Sequence, residues 1–227
     1  MNDMIIESGY WALLLTAATY QLGIFLNKKT GSALFHPILV STAIIIPFLL
    51  LTGIPNDAYQ AGMKSVSWLL TPCTVCLGIS LYTQLNKLKK HLWAILAGTA
   101  AGTVTSLALV WSMCAAFQLD WPTTVALLPK SVTSALAQPL AEGAGGIASL
   151  ATAVVVVTGV LGSIIGPALC KLFRLKNELS QGVAFGTSSH VAGTSKATEI
   201  SELTGAVSSL SLVVAGIFTT IAFSFIV

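Results

Sequence analysis

Two short stretches hold most of the residues of this chain that could do chemistry away from bulk water. One is Pro129-Lys130-Ser131-Val132-Thr133-Ser134; the other is Gly186 to Glu199, which reads GTSSHVAGTSKATE. Both set hydroxyl side chains beside residues that interrupt a helix. An interrupted helix exposes free N–H groups and the positive end of its dipole, so the chemistry on offer is the capture of a small anion such as a carboxylate. Lys130 could add a full counter-charge. His190 carries the side chain whose unperturbed pKa lies nearest neutrality and is the candidate for proton coupling. The candidate binding set is therefore Lys130, Ser131, Thr133, Ser134, Ser188, Ser189, His190, Gly193 and Thr194. Helix breaks are expected at Pro129, at Pro139 and, earlier in the chain, at Pro72, because proline removes a ladder hydrogen bond and crowds the preceding turn.

Each of these residues has a plainer reading. Serine and threonine in membrane helices often bond to their own i−4 carbonyl, and Ser208, Ser209 and Ser211 read that way. Lys130 could snorkel to an interface, His190 could be a satisfied packing histidine, and Glu142 reads as loop. Lys196, Glu199 and Glu202 fit a solvated helix face. A hydrolase needs Ser and His held by an orienting carboxylate, but Ser189 and His190 are neighbours that point to different sides of a helix. No G-x-S-x-G elbow is present, so no catalytic residue and no enzyme is expected. Cys73-x-x-Cys76 lacks a second Cys or His pair to complete a zinc site. Neither metal nor cofactor is expected.

The elements that must position these residues are membrane helices. The 227 residues are 55% hydrophobic and 8% charged, where soluble domains carry about 25% charged residues; mean hydropathy is +0.86. The uncharged runs suit helices of about 20 residues rather than the roughly ten-residue alternating strands of a barrel. Asn2, Asp3 and Glu7 precede the first run, against a cleavable signal peptide. Eight of the eleven Lys and Arg fall in three clusters, at Lys28–Lys29, Lys87–Lys90 and Lys171–Lys176. They read as cytoplasmic loops rather than a nucleic-acid surface.

The chain is expected to form one all-α polytopic transmembrane domain over 1–227, with about seven to eight hydrophobic segments. Apolar runs cover 10–26, 32–53, 65–82, 92–118, 147–170 and 205–227, with 54–63 a loop rich in turn formers. If every basic cluster is cytoplasmic, an even number of crossings separates Lys90 from Lys171. The runs 92–118 and 147–170 are clean spans, so 121–146, with Pro122, Pro129 and Pro139, is expected to be re-entrant. Gly98-x-x-x-Gly102 and Gly162-x-x-x-Gly166 read as close-packing sites. A shift of about 114 residues lays 32–53 on 146–167, the segment around Pro72 on that around His190, and Gly102 on Gly216. This points to two inverted-repeat halves, roughly 1–118 and 119–227, each with an interrupted helix; Pro72, Pro129 and Gly193 are expected at breaks that meet near the bilayer midplane. Interrupted segments at matching positions are the mark of a transporter site.

The run PKSVTSALAQPLAEGAGG, followed by G-x-x-S-H-x-x-G-T-x-x-A-x-E, resembles the LrgB/CidB family of bacterial membrane proteins. The upstream LLTPCTVCLGISLY and the later GAVSSLSLVVAGIFTT extend the likeness over roughly residues 30 to 225. The resemblance implies a bacterial cytoplasmic (inner) membrane location and a secondary transporter, with an elevator-type mechanism as one option, for small monocarboxylates of the pyruvate, lactate, glycolate and glycerate class. A plastid glycolate/glycerate carrier contains a similar module. It equally implies an antiholin-like regulator of lysis, working with a small LrgA/CidA-like membrane protein. The implied partners are a small organic anion, the lipid bilayer and a second copy in a homodimer. The carry-over lands on Pro129, Lys130, Ser131, Thr133, Ser189, His190, Gly193 and Thr194. Ala135 stands where the family often has proline, and Gly78-Ile79-Ser80 departs from a small-residue-plus-proline pattern. Ionisable residues at depth discriminate the two functions, since a regulator has no need of them.

Overall fold

The computed structural model describes residues 10–30, 35, 37–69, 72, 75, 79 and 82–226. His36, Cys73, Thr74, Cys76, Gly78 and Ser80 lie outside the described residues. Pro72 is helical and exposed, but the neighbours that would make it a break are among those left out. The fold is all-helical, with ten helices among the described residues. Among the described residues three of them, Leu92–Ala116, Ala148–Leu172 and Glu202–Ile226, are long and apolar enough to cross a membrane, and Pro37–Thr52 is a shorter apolar helix. The helices group into two compact units, Met1–Cys76 and Leu77–Val227.

In the first unit α1 (Tyr10–Thr30), α2 (Pro37–Thr52) and α3 (Asn56–Ser67) pack together. Gly23 lets α1 approach the start of α2, where an added Cβ would sit 2.7 Å from Pro37 Cα. Thr16 Oγ1 donates to Ala12 O at 2.7 Å. The Tyr59 hydroxyl must therefore be the donor in its 2.8 Å bond to Thr16. The stretch 54–63 is not a loop. Pro55 stands at the N-cap of α3, with Asp57 in its first turn and Lys64 in its last. Residues that favour turns also favour helix starts, and these charges complement the helix dipole.

The second unit holds α4 (Leu85–Lys90), α5 (Leu92–Ala116), α6 (Trp121–Leu127), α7 (Ser134–Gly143), α8 (Ala148–Leu172), α9 (Glu178–Ile200) and α10 (Glu202–Ile226). At 1.5 Å per residue α6 and α7 are about 10 and 15 Å long, far short of a roughly 30 Å hydrocarbon core. They form a hairpin whose ends meet: Trp121 Nε1 donates to Ala144 O at 3.0 Å and Ile147 N to Pro122 O at 3.4 Å. Gly145 takes the left-handed φ of +77° that closes the base. The segment 121–146 thus does not span, as the basic clusters require. Pro129 lies at its tip, whereas Pro139 lies inside α7 and ends nothing. Glu142 belongs to α7 rather than to a loop, and accepts a bond from Gln138 at 3.2 Å.

The α9 stretch is a second hairpin. Phe185 packs over Gly166 and Ser189 over Gly162, so the chain entering from Glu178 runs antiparallel to α8. At His190 the backbone turns to φ 42°, ψ −135°. Beyond it Ala197 joins Phe185 and Cys170 in one apolar cluster, so the chain has returned the way it came. The turn is at His190, not at Gly193. Gly193 is what permits it: an added Cβ would sit 2.7 Å from Phe185 O, on the entering arm. The helix α10 then packs beside both arms, with Gly205 against Thr198 and Gly182 against Val207. Arms of 12 and 10 residues, about 18 and 15 Å, again cannot span.

Within the second unit every long element now has a direction. Gly98 and Gly102 of α5 face Val183 and Thr187, so α5 runs parallel to the entering arm of α9. Leu88, Ile95, Val207 and Leu179 cluster at one end of the unit, and Val110, Val125, Ala144 and Phe223 at the other. Lys89, Lys90, Lys171, Arg174 and Lys176 therefore share one end, and Glu142 sits at the opposite one.

Candidate functional site

The two hairpins enter from opposite ends of α8 and their tips meet on one residue of it. Val155 packs its side chain in the cluster that holds Val132 of the first tip. Its carbonyl accepts a 2.8 Å hydrogen bond from His190 Nε2–H of the second tip. The first tip is built from Leu128 to Thr133. Pro129 offers no N–H to the helical ladder, and i−3 bonds from Lys130 N to Leu127 O and Val132 N to Pro129 O replace it, at 3.2 Å each. Leu128, Pro129, Ser131 and Val132 are all buried, as non-helical backbone at membrane depth must be. Thr133 is the N-cap of α7 but its side chain caps nothing.

Ser131 is the polar centre of this tip. Its Oγ accepts from Lys130 Nζ at 3.3 Å and pairs with Ser106 Oγ of α5 at 3.0 Å. Among the described residues the one ion pair is Lys196–Glu199, on an exposed face; no carboxylate pairs with Lys130.

The second tip is knitted to itself. Ser188 Oγ donates to Ala184 O at 2.7 Å, so Ser189 Oγ is the donor in their 2.9 Å bond. Thr194 Oγ1 donates to His190 O at 2.9 Å, so Ser208 of α10 donates to Thr194 at 2.8 Å. Thr187 gives its proton to Val183 O at 2.6 Å. These donors are committed to the protein. Of the α10 serines, Ser209 does bond to its own i−4 carbonyl, Gly205 O, at 3.0 Å. Ser208 instead bridges to the second hairpin, and the buried Ser211 hydroxyl has no partner. A φ of +42° at a non-glycine residue stores about 1–3 kcal/mol of strain and persists only where its surroundings impose it. The ring bond to Val155 and the absence of a side chain at Gly159, against which the imidazole lies, impose it here.

Ser131 and Thr187 share a small cavity, about one water molecule in size, with Thr103 and Ser106 of α5 and Thr219 of α10. Ser189, His190 and Thr194 are turned to α8 and α10 instead. Thr103, Ser106 and Thr219 escaped the reading of the sequence. The signal was there, since Thr99, Thr103 and Ser106 form an i, i+4, i+7 stripe along α5.

A family model described as the LrgB-like family matches residues 16–227. The chain is 34% identical over 215 residues to the antiholin-like protein LrgB of Bacillus subtilis (strain 168), a match covering 94% of this chain and 93% of that one. No solved structure matches.

Proposed function

The chain belongs to the LrgB-like family, and from that premise we propose that it is an antiholin-like protein of the bacterial cytoplasmic membrane, acting with a small holin-like membrane protein. The observation that carries this is the near full-length match to a relative of that name. Co-expression tests it: cells making the holin-like partner alone should lyse earlier, and release more murein hydrolase activity, than cells making both proteins. Equal lysis in the two strains would exclude the role.

The orientation proposed with it follows from charge. The shared end of Lys89 and Arg174 faces the cytoplasm, and Lys28 is assigned there by the same rule. Single cysteines at these three positions in a Cys-less background should resist an impermeant thiol reagent added outside, whereas a cysteine at Glu142 should react.

A second reading is favoured by one specific observation, the convergence of two opposed re-entrant hairpins on Val155. Broken elements meeting within a membrane protein are how transporters build a site. Under this reading the protein moves a small monocarboxylate, the candidate binding residues lie on the two tips, and His190 couples a proton. Uptake of labelled pyruvate, lactate, glycolate and glycerate into proteoliposomes tests it, with empty vesicles as the baseline.

A further inference from the structure

We propose that the carboxylate head of a small monoanion is bound on the α5 side of the first hairpin tip, between Thr103 and Ser106 of α5 and Lys130 and Ser131 of the tip. This deepens the transport reading and rests on it for the substrate class.

The first support is Thr103. It is 5% exposed, its hydroxyl is buried without a partner, and it lines the cavity. Threonines in these helices ordinarily bond back to their own i−4 carbonyl, as Thr16, Thr42, Thr152, Thr187 and Thr198 do. Thr103 does not, although Ser112, nine residues on, bonds to Ala108 O at 2.6 Å; of the buried hydroxyls without a partner among the described residues, Ser41, Thr99, Thr103 and Ser211, it is the one on a residue that lines the cavity. A buried unmade hydrogen bond costs about 1–3 kcal/mol, so a donor left out of the ladder on a residue that lines a cavity points to a ligand.

The second support is the balance of donors. The Ser106–Ser131 bond uses one hydroxyl proton of the pair and leaves the other free. Lys130 spends one of its three protons on Ser131. No acidic side chain lines the cavity. Free donors with an ammonium group beside them select an anion over a cation or a neutral solute. Only one full positive charge is present, so a monocarboxylate is matched and a di- or tricarboxylate leaves charge unpaired in a poorly hydrated site. Leu107, Leu128, Val132 and Ala215 supply apolar walls for the short carbon chain.

A cavity of about one water cannot hold a whole acid, so binding requires the tip to part from α5. The tip is suited to this, because its backbone is held by two i−3 bonds rather than by a helical ladder.

The test is lactate binding to the purified protein by calorimetry, run beside lactate uptake in proteoliposomes. Thr103→Val and Ser106→Ala should each weaken lactate affinity by about ten- to a hundred-fold, Thr103→Ser should restore it, and the control Thr152→Val should match wild type. Because Thr103→Val removes an unpaired hydroxyl without changing shape, its melting temperature should equal or exceed that of wild type, which separates lost binding from lost folding. Succinate and citrate should not compete. If wild type binds lactate and both variants keep its affinity, this site is wrong while the transport reading stands. If the variants lose binding but wild type shows no uptake, the site stands and transport falls. If wild type shows no lactate binding at all, the proposal is overturned.

Discussion

Gly186→Leu is expected to leave little folded protein in detergent, while Gly143→Ala purifies as wild type does. A Cβ added at Gly186 falls on the main-chain carbonyl of Ser208, with Ser211 Cβ at 2.8 Å and Leu212 N at 3.1 Å. A flexible side chain could swing aside; a helix backbone cannot. The two elements must separate, and Ser208 also holds the returning arm through Thr194, so both arms of the second hairpin loosen together. Overpacking by even a few atoms costs about 1–3 kcal/mol, against a total stability of about 5–15 kcal/mol for a typical domain; a whole leucine at a backbone contact should exceed that range. At Gly143 an added Cβ meets nothing within 4 Å. Size-exclusion profiles and melting curves of the two variants, with Gly186→Ala between them, give the comparison. A Gly186→Leu protein that elutes and melts like wild type would mean that α9 and α10 do not pack this closely.

The break of the first hairpin announces itself at Pro129, which removes a ladder hydrogen bond, although Pro47, Pro139 and Pro167 lie inside helices that continue. Pro129 marks the tip in 121–146, and the basic clusters that bracket 92–170 demand an even number of crossings between them, so this segment must return. The second hairpin was harder to read. Its turn falls on His190, which no propensity scale would choose, and no proline marks it. The turn exists because of residues elsewhere: Gly159 makes room for the imidazole, Val155 supplies the acceptor, and Gly193 tolerates the returning arm. Tertiary context of this kind leaves no period in the local sequence. The same reason explains Pro139. Pro139 is the sixth of the ten residues of α7; it forgoes the bond to the Ala135 carbonyl, and the helix carries on. The hydroxyls show the limit most clearly. Ser208, Ser209 and Ser211 look alike in sequence, yet one bridges to another helix, one bonds back to its own, and one is unpaired. Only the facing element decides.

Two substitutions at the tips should give phenotypes different in kind. Lys130→Met keeps the apolar stem and removes the charge and the bond to Ser131. Under the transport reading the anion loses its only counter-charge, and charge-assisted bonds of this sort are worth about 1.5–3 kcal/mol each; uptake of labelled lactate at sub-saturating concentration should fall by roughly ten- to a hundred-fold or more. His190→Gln is a milder change in shape. Its amide N–H can still donate to Val155 O, so the second tip stays attached to α8, but the amide cannot take up a proton. Binding of the acid should persist, and the dependence of uptake on pH, followed from about pH 5 to 8, should flatten. His190→Leu loses both the bond and the proton, and should lower the melting temperature as well, which tells the structural part of the histidine's role from the proton-carrying part. Proteoliposomes bearing each variant, assayed across that pH range, separate the three. If Lys130→Met and His190→Gln both match wild type in affinity and pH profile, the tips only hold the fold together. The antiholin-like reading would then account for the protein without transport.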